Sequence, residues 1–365
     1  MAMCDGGMQT GTRAGGLLEW MAVAARMKHV RNVFGIDNYL DNVSTSTSFP
    51  SFSGAEWTSS VIQLLLSGLS RSSSGAERDG LKRQQGWLEE RVGELVFRML
   101  EDWVGIDIRN PSPVTKNLRL VTSPVPVVSC IALYIGTVWL WSSHIKKYGQ
   151  KPRKEDPLPL RCLVIVHNLF LCILSLVMGI GLMISARQLG YSLWGNVYRG
   201  DETEMGFLIY VFYVSKLYEF MDTTIMLFRR NLRQLTYLHV YHHASITFIW
   251  WIICYTCPGA DAYFSAAFNS CIHVAMYLYY LLAATIAKDE RRRRKYLFWG
   301  KYLTMMQMVQ FLSFIGQSIY AMLRPETYPK GVPRLLFFYS VSLLLFFGNF
   351  FVKKYSRPQK SAKTD

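Results

Sequence analysis

The chain has 365 residues, 51% of them hydrophobic and only 18% charged, with a mean hydropathy of +0.14. A soluble domain carries about a quarter charged residues, and here the apolar residues gather in long runs in the last two thirds of the chain. A membrane protein is expected. The formal net charge is +15, yet residues 1–119 hold 13 basic and 13 acidic side chains, so the whole excess falls beside the apolar runs. Basic residues in that setting suit lipid headgroups or a polyanionic ligand such as a nucleotide, and because the spans interrupt them, nucleic acid is not expected as a partner.

Residues 1–119 read as a polar extension. Its Ser/Thr-rich stretch from Ser44 to Ser74 suggests flexibility, and Asn42-Val-Ser44 is a glycosylation sequon. The apolar stretch Leu17–Ala25 is short and interrupted by Glu19, which argues against a signal peptide. From Trp87 to Trp103, apolar and charged residues alternate at helical spacing, predicting an amphipathic helix with acidic flanks that packs or lies at an interface.

Residues 120–355 contain seven stretches near the length needed to cross a bilayer: 121–142, 160–186, 205–228, 236–256, 262–286, 297–322 and 335–352. The third is the least apolar, because Lys216, Glu219 and Asp222 lie inside it. The loops 143–159, 229–235 and 287–296, with the C-terminal residues after 352, hold 19 Lys and Arg; the alternate loops hold five. That asymmetry puts the first set and the basic tail, 356–365, in the cytosol, and an odd number of spans puts the N-terminus on the other side. The seven cysteines show no repeated ligand spacing, and Cys254-x-x-Cys257 reads as small residues packing in a helix.

Ionisable and polar residues inside apolar spans are costly, so each is a candidate functional residue. Span three holds Lys216, Glu219, Asp222 and Thr223. Span four opens with His239, His242 and His243. Span five holds Asn269, His273, Tyr277 and Tyr280, and span six holds Thr304, Gln307 and Gln310. Positions i, i+3 and i+4 share a helix face, so the three histidines of span four point one way. Folding consecutive spans about their connecting loops, at the helical rise, sets Asp222, His242, His273 and Gln310 at one depth. His29, His144 and His167 are placed outside this layer.

Four histidines are too few for a di-iron cage unless many carboxylates join them, and only Glu219 and Asp222 are near; a single zinc stays open on the residues alone. Acyl transfer is the other reading. Cys271 faces away from His273 and no serine sits in a nucleophile-elbow context, but imidazole is itself an acyl acceptor, with a neighbouring imidazole as base and a carboxylate to fix a ring tautomer. Arg229, Arg230 and Arg233 on one side of the cytosolic mouth, and Arg291, Arg292, Arg293, Arg294 and Lys295 on the other, suit ligand phosphates as well as membrane anchoring.

The runs KLYEFMDT (Lys216 to Thr223), HVYHH (His239 to His243), HVAMYLYY (His273 to Tyr280) and TMMQMVQ (Thr304 to Gln310), in that order and spacing, resemble the ELO family of very-long-chain fatty acid elongases. The resemblance covers about residues 115–355 and implies an all-α membrane protein whose seven transmembrane helices enclose an acyl-chain tunnel. The implied reaction condenses malonyl-CoA with an acyl-CoA to give 3-ketoacyl-CoA, CO2 and CoA, with no metal or cofactor. It implies His242 as the nucleophile that forms an acyl-imidazole and His273 as its partner in proton transfer or enolate stabilisation. His239 and His243 complete the layer, and Asp222 and Glu219 orient rings. Lys216, Asn269, Tyr277, Tyr280, Thr304, Gln307 and Gln310 are expected to bind substrate, with Arg229, Arg230 and Arg233 at the CoA phosphates.

Within the family, HVYHHASITFIWW and YLFWGKYLT look most like plant, algal and protist polyunsaturated elongases. Residence in the endoplasmic reticulum also follows from the resemblance, since Lys363 supplies only half of a dilysine signal. So do partnership with the ketoacyl-CoA reductase, dehydratase and enoyl-CoA reductase of the cycle, and with a second copy as a homodimer. Against this stand a seven-helix lipid-binding receptor or transporter and a metal-dependent membrane oxidase.

Overall fold

The computed structural model of the chain describes residues 86–87, 90–106, 108–153, 155–286, 289–324, 328–329 and 331–356. All of them fall within one compact unit, Gly54–Asp365. The Ser/Thr-rich stretch, the sequon, and most of the basic tail lie outside the described residues. Among those described, the secondary structure is helical, without strands.

From residue 124 on, the described residues form α-helices in this order: α1 (Pro124–Lys147), α2 (Leu158–Gln188), α3 (Thr203–Tyr218), α4 (Phe220–Phe228), α5 (Tyr237–Thr256), α6 (Ala262–Ile286), α7 (Glu290–Tyr296), α8 (Gly300–Leu323) and α9 (Gly331–Phe351). Each predicted apolar stretch coincides with one of them, except that the third is divided. Local chemistry sets several starts. Proline stands in the first turn of α1 and α2, where its missing N–H costs no helical bond. The Thr236 hydroxyl accepts the His239 N–H at 3.2 Å at the start of α5, and the Asp289 carboxylate does the same for Arg292 at 3.1 Å in α7.

Four helices, α1, α2, α6 and α9 with its continuation to Tyr355, are long and apolar enough to cross a membrane. The chain is therefore a multi-pass membrane protein. The predicted span 205–228 breaks at Glu219, which ends α3 and begins α4. The break falls in the segment that carries three ionisable residues, Lys216, Glu219 and Asp222.

The α2–α6 and α8–α9 pairs pack most extensively, with α5 held by α1 and α3. The segment before α1 joins this bundle. A helix over residues 90–99 runs into a π-helical turn, Leu100–Val104, and stops at Gly105, whose φ of 70° suits glycine. Leu100, Ile106, Ile108 and Val121 are buried in the main core. The Ser112 N–H donates to the Tyr255 carbonyl at 2.7 Å, and the Thr115 hydroxyl donates to the Cys254 carbonyl. Packing onto the bundle thus begins before residue 119, where the charge balance changes.

The contact is tight at Gly331, where an added Cβ would meet Ile106 at 2.5 Å and the carbonyls of Val104 and Gly105 at 2.7 Å. Gly331→Ala is therefore expected to destabilise the protein by about 1–3 kcal/mol, as overpacking does. Thermal unfolding in detergent reads this directly, and an unchanged midpoint would show that the segment does not hold this position. Cys254 and Cys257 are both free and fully buried. Burial pushes the Cys257 thiol up to about 11, which leaves it an inert packing group rather than a reactive one.

Candidate active site

Helix α5 presents His239, His242 and His243 from one turn, but the three rings do not meet one partner. The His239 Nε2 lies 2.8 Å from the Thr223 hydroxyl of α4, which in turn lies 3.0 Å from the Tyr134 hydroxyl of α1. His242 turns the other way, its Nδ1 3.1 Å from the Tyr339 hydroxyl of α9. His243 sits between them, with ring centroids 4.4 Å from His239 and 5.6 Å from His242, and its buried Nδ1 has no hydrogen-bond partner. Among the described residues no three His, Cys, Asp or Glu side chains are arranged to hold a metal ion.

Two carboxylates hold the neighbouring groups. At the α3–α4 break, Lys216 Nζ donates to Glu219 Oε1 at 2.8 Å and to Asn269 Oδ1 of α6 at 3.2 Å. The ammonium also stands 4.3 Å from the Phe212 ring. Glu219 Oε1 lies 3.3 Å from Nδ1 of His273. Lys216, Glu219 and His273 are all buried. One turn on, Asp222 Oδ1 lies 2.8 Å from His167 Nε2 of α2, and Oδ2 accepts the Tyr277 hydroxyl of α6 at 2.9 Å.

His167, expected outside the polar layer, is therefore part of it. Folding α2 and α3 about the loop between them sets Asp222 level with about residue 169, so the depth argument reaches His167 once α2 is included. Asp222 holds His167 and Tyr277 rather than a ring of α5, and the next residue, Thr223, takes the contact with His239. Tyr339 and Tyr134 were missed as well. A lone tyrosine in an apolar span reads as a packing aromatic.

A cavity lies between α5, α6, α8 and α9. His242, Asn269, Gln310 and Tyr339 line one region of it; Ile246, Phe311, Phe314, Leu336 and Leu343 make its walls apolar. The Gln310 side chain is buried and its Oε1 is unpartnered. Farther along, Ala321, Asp261, Tyr328 and Val332 line the end. Hydrogen bonds brace that end. The Asp261 carboxylate accepts the backbone N–H groups of Gly195 and Asn196 at 3.0 and 2.8 Å. Gln317 donates to the Asp261 carbonyl at 2.6 Å and accepts from Ser265 at 2.8 Å, and the Tyr328 hydroxyl donates to the Cys257 carbonyl at 3.0 Å. Nearby, Tyr198 is 2.6 Å from Ser112, and burial pushes its hydroxyl up to about 12, so it stays protonated.

Residues 119–363 match the model of the ELO family, described as GNS1/SUR4. The chain belongs to this family. It is 36% identical over 256 residues to very long chain fatty acid elongase 5 of Xenopus tropicalis, covering 69% of this chain and 83% of that protein. The human protein of the same name is 34% identical over 253 residues, 68% of this chain and 81% of its own length. Fatty acid elongase 6 of Leishmania major is 44% identical over 203 residues, and there the match spans about half of each chain, 53% and 52%.

The remaining expected site residues of this ELO-family chain are less concentrated. Thr304 is buried, and its hydroxyl donates back to the Gly300 carbonyl at 3.3 Å. Gln307 contacts the Met276 sulfur at 3.9 Å. Tyr280 is 43% exposed and stands edge-on to Tyr277, outside the cavity lining. Arg229 is paired with Asp156, which reduces the charge it can offer a phosphate. Arg233 and residues 291–295 are exposed, and Arg230 is half-buried.

Proposed function

We propose that the protein is a fatty acid elongase of the endoplasmic reticulum membrane. It crosses the bilayer seven times, with its C-terminus in the cytosol, and condenses malonyl-CoA with a long-chain polyunsaturated acyl-CoA. The reading is carried by His242: one ring nitrogen is engaged by Tyr339 while Nε2, free of hydrogen bonds, belongs to a side chain that lines an apolar cavity. With the proton on Nδ1 and the Tyr339 oxygen accepting it, Nε2 carries the lone pair.

In this scheme Nε2 attacks the acyl thioester carbonyl, the C–S bond breaks, and CoA leaves as thiolate. Malonyl-CoA then loses CO2, its enolate carbon attacks the acyl carbon, and the bond to Nε2 breaks to release 3-ketoacyl-CoA. One proton is consumed overall, ending on the CoA thiol. The amide N–H groups of Asn269 and Gln310 are suited to stabilise the carbonyl oxygen as it gains charge, and His273, held by Glu219, is suited to the enolate step. The relatives' names, all elongases, support the reaction class. The ketoacyl-CoA reductase, dehydratase and enoyl-CoA reductase are the partners that would complete each cycle, with a second copy of the chain as a further one.

Expression in yeast fed with polyunsaturated acids, followed by gas chromatography of total lipids, tests the proposal. Products two carbons longer are expected, and unchanged chain lengths with confirmed expression would refute it. The same assay measures the cavity. Ala321 is buried, lines the far end, and lies about 16 Å along α8 from Gln310 at the helical rise. Ala321→Trp fills that end and is expected to shift products toward shorter chains with the short-chain rate preserved. An unaltered product profile would mean that the acyl chain goes elsewhere.

A further inference from the structure

We infer that His167 is a positioning residue of the condensation, acting through Asp222 on Tyr277. The inference rests on the reaction proposed above and assigns a role to a buried imidazole which that scheme leaves idle.

His167 is 2% exposed, in the long apolar helix α2. The neighbouring Asn168 is occupied by its own helix, donating to the Val164 carbonyl at 2.7 Å. His167 instead reaches across to α4, where its Nε2 meets Asp222 Oδ1 at 2.8 Å. The other carboxylate oxygen accepts the Tyr277 hydroxyl of α6 at 2.9 Å. An ionised carboxylate only accepts, so both contacts are donations, and His167 is held with its proton on Nε2. Among the described residues, Tyr218 of α3, whose hydroxyl is 3.4 Å from Nδ1, and the Tyr277 ring, 6.4 Å between centroids, also face it.

Three helices are thereby fastened at one carboxylate, and both of its oxygens are used. Tyr277 stands edge-on to His273, with centroids 5.6 Å apart, while Glu219 holds His273 at Nδ1. The His273–Tyr277 pair is thus gripped by a carboxylate from each side, and the Asp222 grip depends on a donor at residue 167. Without that donor, Oδ1 is a half-buried acceptor that has lost its partner. The carboxylate is then free to swing, and the Tyr277 hydroxyl loses its fixed direction. An apolar residue at 167 would fill the same space without supplying this.

The test uses the full-length protein in lipid nanodiscs, with kcat and KM measured for acyl-CoA and malonyl-CoA. His167→Ala is expected to lower kcat by about 10- to 100-fold, the usual cost of losing a supporting hydrogen bond, with KM for acyl-CoA nearly unchanged. His167→Gln, which keeps an N–H donor, should recover most of the rate. In a Tyr277→Phe background the His167→Ala change should cost less than about twofold, because the interaction it supports is already gone.

A merely structural His167 predicts the opposite: losses that multiply in the double variant and no rescue by Gln. If the alanine variant fails to accumulate, His167→Phe preserves volume without a donor and should show the same kcat loss. Normal kcat in either variant overturns the inference while leaving the reaction intact. A wild-type protein that condenses nothing overturns both.

Discussion

His242→Ala is expected to abolish condensation, by on the order of a thousandfold or more as removal of a nucleophile does, in a protein that still folds. His242 is only partly buried and, among the described residues, its ring is hydrogen-bonded to the neutral Tyr339 hydroxyl, so truncation leaves no charge stranded. Acyl-CoA supplied without malonyl-CoA separates the chemistry from binding. The wild-type protein should release about one equivalent of CoA in a burst as the acyl group moves to the ring, and His242→Ala should release none. Tyr339→Phe should retain a slower burst, since the nitrogen survives but its tautomer is no longer fixed. Full turnover by a folded His242→Ala protein would remove the acyl-imidazole from consideration.

The largest stability effect is expected at the Lys216–Glu219 pair. Both side chains are fully buried, and the 2.8 Å contact spans the break between α3 and α4. Deleting one partner of a buried pair strands the other charge and typically costs about 3–5 kcal/mol. Lys216→Met should therefore unfold at markedly lower temperature, or fail to elute as a single species from size exclusion in detergent. Adding Glu219→Gln to it should restore much of the stability, because no charge is then left alone. Activity should not return, since His273 loses the carboxylate on its Nδ1. A Lys216→Met protein as stable as wild type would show that the pair contributes nothing to folding.

How far the site could be read beforehand follows from periodicity and its limits. Helical spacing and loop charge located every long helix, because twenty-odd apolar residues bounded by basic loops leave few other solutions. The depth argument brought four helices to one layer for the same reason: a fixed rise per residue makes level a matter of counting. What counting leaves out is rotation. The histidines at i, i+3 and i+4 share a face, yet His239 and His242 bond to α4 and α9 on different sides, and only packed neighbours decide that. The break at Glu219 is equally silent in a hydropathy profile. Tyr339 shows the same limit, since its importance lies in which ring it touches, and aromatic residues are common in that helix.

The hydrogen bonds that join Asp261 to Gly195, Asn196 and Gln317, and Gln317 to Ser265, brace the far end of the cavity. On the function proposed above, an acyl tail that threads the cavity meets this braced wall at the far end. On that reading it withdraws by the route it entered. Growth by this protein would then be distributive: each two-carbon addition ends in complete withdrawal, and other enzymes can act on the product before it returns.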